Sequence, residues 1–133
     1  MTGRTGIGIV DVCTVGIPVT DQDGALDFCT GKLGLEKRVD SEFAGGLRWI
    51  DVAPTGAATT IALVPAKDDA PAGVETGTRF RTRDADADNA ELRSRGVGVG
   101  EVLRWPGAPP MFVLHDHDGN RLEIIEQAAG GTS

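Results

Sequence analysis

The sequence predicts an α+β fold in which two tandem βαβββ modules form a cupped mixed sheet around a cleft. The order strand–helix–strand–strand–strand can be read twice along the 133 residues. Both predicted helices begin in aspartate-rich stretches, TDQDGALDF (20–28) and RDADADNAEL (83–92), and a glycine lies just beyond each helix. A single copy leaves one sheet face uncovered. Two copies can therefore curl their sheets around a shared cleft, with the helices on the outer face.

The first module is predicted over about residues 10–65. β-Branched and apolar residues indicate a strand at VCTVGIPV (12–19). Asp21 is the expected N-cap of the helix, and Gly34 is the residue expected to end it. Turn residues at 45–46 and 54–56 then separate three short strands, which are LEKRVD (35–40), GLRWIDVA (46–53) and ATTIALVP (58–65).

A loop over residues 66–74 precedes the second module, which is predicted over about residues 75–127. Its first strand is TGTRFRTR (76–83), and its helix is expected between Asp84 and Gly96. The remaining strands are predicted at VGVGEVLRW (97–105), PPMFVLHD (109–116) and NRLEIIEQ (120–127). The two modules together are predicted to form one domain over residues 1–133.

Charge and composition exclude several classes of partner. The net charge of −7 comes without a basic stripe, which argues against nucleic-acid binding. The chain has no apolar run of about 18 residues, so no membrane span is predicted. The N-terminal stretch lacks an apolar signal core, so a cytoplasmic location is expected. Cys13 and Cys29 are isolated, and they are predicted to be buried thiols rather than a disulfide.

Four stretches of the chain resemble the vicinal oxygen chelate superfamily, and together they cover about residues 10–127. They are IPVTDQDGALDF…KLGLEKR, RWIDVAPTGAATTIALVP, DADADNAELRSRGV and DHDGNRLEIIE. The superfamily includes glyoxalases, bleomycin-type resistance proteins, fosfomycin-resistance enzymes and extradiol dioxygenases. The resemblance implies paired βαβββ modules with a cupped sheet around a pocket, usually in a homodimer.

The resemblance also implies where a metal would bind. Metal-dependent members carry His, Glu or Gln ligands at four inward strand positions, which here fall on Thr14, Ala62, Gly77 (or Thr78 after a one-residue shift) and Glu123. Glu123 alone keeps a ligand type, and one carboxylate does not hold a divalent ion. We therefore expect no metal and no cofactor. Because three of the four positions are lost, the sequence leaves open whether the protein is an enzyme.

Strand alternation separates a helix-packed apolar face from the face that, by resemblance, lines the cleft. Small residues at the former ligand positions leave room there for a bulky guest, and tryptophan rings can stack on a planar one. The predicted ligand-binding residues are Thr14, Phe43, Trp49, Asp51, Trp105, Met111, Val113 and Glu123.

The stretch FVLHDHDGNRLEIIE (112–126) contains both histidines and permits four interpretations. His115 and His117 could bind a metal with neighbouring carboxylates. His115 and Glu123 could form an acid–base pair, because burial in an apolar cleft would raise the pKa of Glu123. Glu123 could instead hydrogen-bond a ligand without chemistry. Finally, the stretch could be a plain β-hairpin with an exposed His117 in its turn.

The leading functional hypothesis is a metal-free protein that binds a hydrophobic or aromatic small molecule, as resistance proteins that sequester a drug do. Carboxylates on the cleft face suggest a cationic or hydroxyl-bearing guest. The alternative is a lyase, isomerase, hydrolase or oxygenase-type enzyme that uses Glu123 and His115, with or without an unusually held metal. An inert dimeric scaffold is a third possibility. The sequence does not name the ligand.

Overall fold

The computed structural model describes residues 6–128, so residues 1–5 and 129–133 of the predicted domain lie outside it. The first module contains β1 (Thr14–Val19), α1 (Gln22–Asp27) with a π-helical turn (Phe28–Lys32), β2 (Glu36–Glu42), a 3-10 turn (Ala44–Gly46), β3 (Arg48–Ala53) and β4 (Thr60–Pro65). The second module contains β5 (Glu75–Thr82), α2 (Ala85–Ser94), β6 (Gly98–Val99), β7 (Met111–His115) and β8 (Arg121–Glu126).

The eight strands form two mixed sheets with the same connectivity. The strand order is β1-β4-β3-β2 in the first sheet and β5-β8-β7-β6 in the second. In each sheet the first strand of the module runs parallel to the last one, and the other pairs are antiparallel. The predicted α+β fold with two βαβββ modules is therefore confirmed.

The helix boundaries follow the capping chemistry expected from the sequence. The Asp21 carboxylate accepts a hydrogen bond from the Asp23 backbone N–H at 3.2 Å, and Asp84 accepts one from Ala87 at 3.0 Å. Gly34 and Gly96, with φ values of +73° and +82°, lie just beyond the two helical segments. This left-handed conformation favours glycine over other residues. No helix within residues 6–128 has the length and apolar character needed to cross a membrane.

A single hydrophobic core lies on the helix-packed side of both sheets. The strand residues that alternate into it are Ile17, Val19, Ile50, Val52, Ile61, Leu63, Phe112, Leu114, Leu122 and Ile124. Side chains of the helical segments, Ala25, Cys29 and Leu92, complete the same cluster. The predicted helix-packed face is thus the face that forms the core.

The sixth predicted strand, over residues 97–105, is wrong in its extent. Regular pairing is limited to Gly98–Val99 and resumes as a single bridge between Leu103 and Met111. Between them, the Gly100 carbonyl accepts a hydrogen bond from the Asn89 side chain of α2 at 2.8 Å. The helix therefore binds a carbonyl that the predicted strand would have used in the sheet.

The turn between β7 and β8 joins the two modules. The Asp118 carboxylate accepts hydrogen bonds from the Thr20 hydroxyl at 2.6 Å and from its backbone N–H at 3.1 Å. The fully buried Asn120 donates to the Pro18 carbonyl at 2.8 Å and also accepts from the backbone N–H groups of Gly73 and Val74. These contacts connect the end of β1 to the turn and to the loop before β5.

Candidate functional site

An aromatic cluster lies on the cleft face of the first sheet. The indole Nε1 of Trp49 donates a hydrogen bond to Asp51 Oδ1 at 2.8 Å. The ring of Phe43 lies 6.4 Å from that of Trp49, at a tilted angle of 32°. Trp49 is 37% exposed and Phe43 53% exposed. The structure therefore brings three predicted ligand-binding residues together and leaves both aromatic rings accessible.

Three other predicted residues share the cleft face of the second sheet. Val113 pairs with Glu123, and Met111 pairs with Ile125. Trp105 lies in the loop between β6 and β7 and is 53% exposed. A turn hydrogen bond of 3.1 Å from the Ala108 N–H to the Trp105 carbonyl holds this loop in shape. The predicted residues thus form two groups, one on each module.

Glu123 is paired with two arginines. Its Oε1 accepts from Arg79 Nε at 2.9 Å, and its Oε2 accepts from an Arg121 Nη at 2.9 Å. The Glu123 side chain is only 11% exposed. The acid–base hypothesis relies on a carboxylate in an apolar cleft, whereas two guanidinium groups pair with this one.

Arg121 extends the ion-pair network to Glu75. The Glu75 carboxylate accepts hydrogen bonds from the Gly77 backbone N–H at 3.0 Å and from Arg121. Both contacts lower the pKa of Glu75, and the hydrogen bond from the Gly77 backbone N–H has the larger effect. Four alternating charges therefore run along this face, in the order Glu75, Arg121, Glu123 and Arg79.

The two histidines are separated, as the turn chemistry predicts. His117 lies in the turn and is exposed, with its ring 5.9 Å from the ring of Phe28. His115 is also exposed and pairs with Arg121 across the sheet. No hydrogen bond within residues 6–128 joins His115 to Glu123. The His115 and Glu123 side chains thus lie on one face of the sheet, but they do not form a proton-transfer pair.

The four positions identified by resemblance do not fit a metal. The Thr14 hydroxyl donates to the Thr60 carbonyl at 3.1 Å, and Glu123 is occupied by two arginines. Ala62 and Gly77 offer no side-chain donor atom, and Gly77 has a φ of +72° where the pairing of β5 and β8 shifts register. A divalent ion needs several suitably placed ligands, which these residues do not supply.

Another group of potential ligands lies in the turn itself. One ligand atom from each of Asp116, His117 and Asp118 falls within 4.8 Å of the others. However, both Asp116 oxygens accept hydrogen bonds, from the Asn120 side chain and from two backbone N–H groups of the turn. Both Asp118 oxygens accept from Thr20. The two carboxylates thus have a structural role in the turn and at the module junction.

An open groove of about 790 Å³ lies between the modules, along β5. None of the predicted ligand-binding residues within residues 6–128 lines it. Arg79 and Arg81 of β5 line it instead, with Ile125 of β8. The sequence does not decide whether these arginines reach the cleft, although the alternation in TRFRT already places both on one face of the strand.

The amino-acid sequence matches a family model. The model is described as the Glyoxalase/Bleomycin resistance protein/Dioxygenase superfamily, and it matches residues 9–124. The uncharacterized protein YetH of Bacillus subtilis (strain 168) is 28% identical over 122 residues, which cover 89% of this chain and 99% of YetH.

Solved structures share the fold at higher identity. TnmS3, an antibiotic binding protein from Streptomyces sp. CB03234, is 34% identical with a TM-score of 0.82 over 92% of this chain and 99% of its own. A glyoxalase/bleomycin resistance protein/dioxygenase superfamily member from Sphaerobacter thermophilus DSM 20745 is also 34% identical. Its TM-score is 0.83 over 90% of this chain and 98% of its own.

Proposed function

Because this chain belongs to the glyoxalase/bleomycin resistance protein/dioxygenase superfamily, we propose that it binds a hydrophobic or aromatic small molecule, without a metal, and releases it unchanged. Membership by itself does not decide between binding and catalysis, since one fold supports many chemistries. The residues on the cleft face must decide, and they favour binding. Antibiotic sequestration is the specific form we propose, and the similarity to TnmS3 supports it.

The observation that carries the proposal is the pairing of Trp49 with Asp51. The hydrogen bond of 2.8 Å fixes the edge of the indole, and the side chain is 37% exposed and not part of the core. An exposed tryptophan with a fixed orientation is suited to stacking on a planar guest, which contributes roughly 0.5–1.5 kcal/mol beyond burial. Phe43 beside it extends the aromatic surface.

The charged residues support binding rather than chemistry. Glu123, which the enzyme alternative would use as a base, accepts hydrogen bonds from Arg79 and Arg121. His115 lies near the same face but forms no pair with it. A general base must be within hydrogen-bond reach of a proton on the substrate and free to take it. Glu123 is better placed to position the two arginines than to remove a proton.

We also propose that a second copy of the chain completes the ligand site. Large apolar side chains are exposed along the segment before β1, on β1 and on β2: Ile7, Ile9, Val10, Val12, Val15 and Val39. Several exposed apolar side chains along one segment are characteristic of an interaction site. A symmetric homodimer would cover these apolar side chains. It could also place Trp49, Asp51 and Phe43 of one copy against the sheet face around Glu123 of the other.

Sedimentation velocity at micromolar concentration tests the dimer, with Val10→Asp and Val12→Asp as disrupting changes. A monomeric wild-type protein would contradict the proposed dimer.

The cytoplasmic location and the absence of nucleic-acid partners remain predictions.

Ligand binding itself is tested by screening a library of aromatic natural products against the intrinsic fluorescence of Trp49 and Trp105. We expect quenching by a small set of compounds that mass spectrometry then recovers unmodified. Steady conversion of a bound compound into a product would contradict sequestration and favour the enzyme alternative. Glu123→Gln separates the two hypotheses, because it should abolish turnover by an enzyme and leave sequestration within severalfold of the wild type.

A further inference from the structure

We propose that a small molecule with an acidic group binds in the groove between the modules, and that the Arg81 guanidinium beside Arg79 binds this group. It goes beyond the proposed function, because neither Trp49, Asp51 nor Phe43 lines this groove. The carboxylates of the predicted cleft face suggest a cationic or hydroxyl-bearing guest there, whereas the charged side chains that line this groove, Arg79 and Arg81, are cationic.

The two arginines point to the same side of β5. Arg79 pairs with Glu123 on β8, and Arg81 pairs with Ile125, two residues further along both strands. Residues two apart in a strand share a face. Both therefore lie on the face that continues into the predicted cleft of the second sheet, where Ile125 in turn pairs with Met111.

The ion pairs on this face leave Arg81 without a partner. Arg79 and Arg121 are engaged by Glu123 and Glu75, so two guanidinium groups meet two carboxylates. Within residues 6–128, no ion pair involves Arg81, and no aspartate or glutamate lines the groove. In a protein with a net charge of −7, this groove thus presents a guanidinium group without an ion-pair partner beside apolar side chains.

The other residues that line the groove indicate the chemistry of the rest of the ligand. Apolar side chains make up much of it, including Val15, Ile61 and Ile125, and the Thr60 and Thr78 side chains add hydroxyl groups. A guanidinium group binds a carboxylate or a sulfonate through two parallel N–H donors, and such charge-assisted bonds are about twice as strong as neutral ones. The matching guest is an apolar, planar molecule with one acidic substituent.

Isothermal titration calorimetry with three naphthalene probes that differ in charge tests the inference. The probes are 2-naphthoate, 2-naphthamide and (2-naphthyl)methylammonium. We expect the wild-type protein to bind the anion most tightly and the cation most weakly. Arg81→Gln should weaken 2-naphthoate binding by about tenfold, as expected for a lost charge-assisted hydrogen bond, and leave 2-naphthamide binding unchanged.

Arg83→Gln is the matched control, because it removes the same charge from an exposed arginine that does not line the groove. We expect it to leave 2-naphthoate binding close to the wild-type value. Arg81→Lys keeps the charge without the two parallel donors, so an intermediate affinity for 2-naphthoate is expected. Circular dichroism confirms that each variant is folded.

Equal binding of the anion and the amide by the wild type would overturn this inference and leave the proposed function standing. An equal loss of 2-naphthoate binding in Arg81→Gln and Arg83→Gln would also overturn it, since overall charge would then explain the effect. If none of the three probes bound, the inference would fail. The proposed function would still be judged separately by the natural-product screen.

Discussion

Arg79 and Glu123 lie opposite each other on the parallel strands β5 and β8, and the Arg79 Nε donates to Glu123 Oε1 at 2.9 Å. This pair decides how the cleft face of the second module is interpreted. The carboxylate at the position where the sequence resemblance implies a metal ligand is here held by an arginine of the neighbouring strand. The role that this geometry supports for the Glu123 carboxylate is therefore to position guanidinium groups.

Replacing Glu123 with Gln should lower the free energy of unfolding by about 1–2 kcal/mol. Two charge-assisted hydrogen bonds are lost, but the partially exposed arginines can be resolvated by water. Urea denaturation followed by circular dichroism measures the change. The exposed substitution Glu101→Gln is a suitable control and should be nearly neutral. Unchanged stability in Glu123→Gln would mean that the ion pairs contribute little in solution.

Replacing Asn120 with Ala should be more damaging, at about 3 kcal/mol. The fully buried side chain satisfies the backbone N–H groups of Gly73 and Val74 and the carbonyl of Pro18. Unsatisfied buried polar groups cost about 1–3 kcal/mol each when water does not replace the partner. His117→Ala, in the same turn but exposed, should cost less than about 1 kcal/mol. Thermal denaturation compares the two, and equal effects would contradict the proposed role of Asn120 in joining the modules.

The two cysteines should differ in reactivity, contrary to the expectation that both are buried. Cys13 is exposed and Cys29 is buried. Burial, with a smaller contribution from Asp116, raises the pKa of the Cys29 thiol to about 12. At pH 8, a thiol reagent such as Ellman's reagent should modify Cys13 rapidly and Cys29 only after denaturation in urea. Rapid modification of both thiols in the native protein would contradict this assignment.

The same pKa makes stability depend on alkaline pH. Below pH 9.0 the thiol is protonated in both the folded and the unfolded chain, so the contribution of Cys29 is fully present. As the pH rises from 9.0 towards about 12, the unfolded chain ionises first, and stability is lost. Cys29→Ala should remove this part of the pH dependence, which urea denaturation at several pH values measures. Parallel curves for wild type and variant would contradict the prediction.

The aromatic cluster should control ligand affinity. Trp49→Ala removes the stacking surface and should weaken binding of any compound found in the fluorescence screen by about tenfold. Trp49→Phe keeps an aromatic face but loses the hydrogen bond to Asp51, so a smaller loss is expected. Leu47→Ala, an exposed apolar change in the same hairpin, is the control. Calorimetry measures all three, and similar losses in Leu47→Ala and Trp49→Ala would argue against a specific stacking role.

Elemental analysis should find much less than one divalent metal ion per chain after purification without chelators. Addition of Zn²⁺, Mn²⁺ or Ni²⁺ should leave the melting temperature unchanged, because a ligand stabilises a folded protein only if it binds it. A stoichiometric ion that also raises the melting temperature would overturn the metal-free proposal. In that case Asp116, His117 and Asp118 would be the first residues to replace.

Much of the fold could be predicted because local rules and the overall architecture agree. Asp21 and Asp84 are N-caps in the sequence and in the structure, and the alternating apolar residues of the strands form the observed core. The prediction of a strand over residues 97–105 is wrong where a tertiary hydrogen bond takes the place of strand pairing. The Asn89 side chain binds the Gly100 carbonyl, and nothing in the local sequence indicates that contact.

The sequence by itself determined the two modules, the separation of His115 from His117, and the loss of metal-ligand types at Thr14, Ala62 and Gly77. Each follows from residue type, periodicity or resemblance at one position along the chain. Tertiary structure alone decided that Arg79 pairs with Glu123, because Arg79 is distant in sequence and reaches it only through the parallel pairing of β5 with β8. The electrostatic environment of a site depends on which strands become neighbours, and that is a property of the assembled sheet.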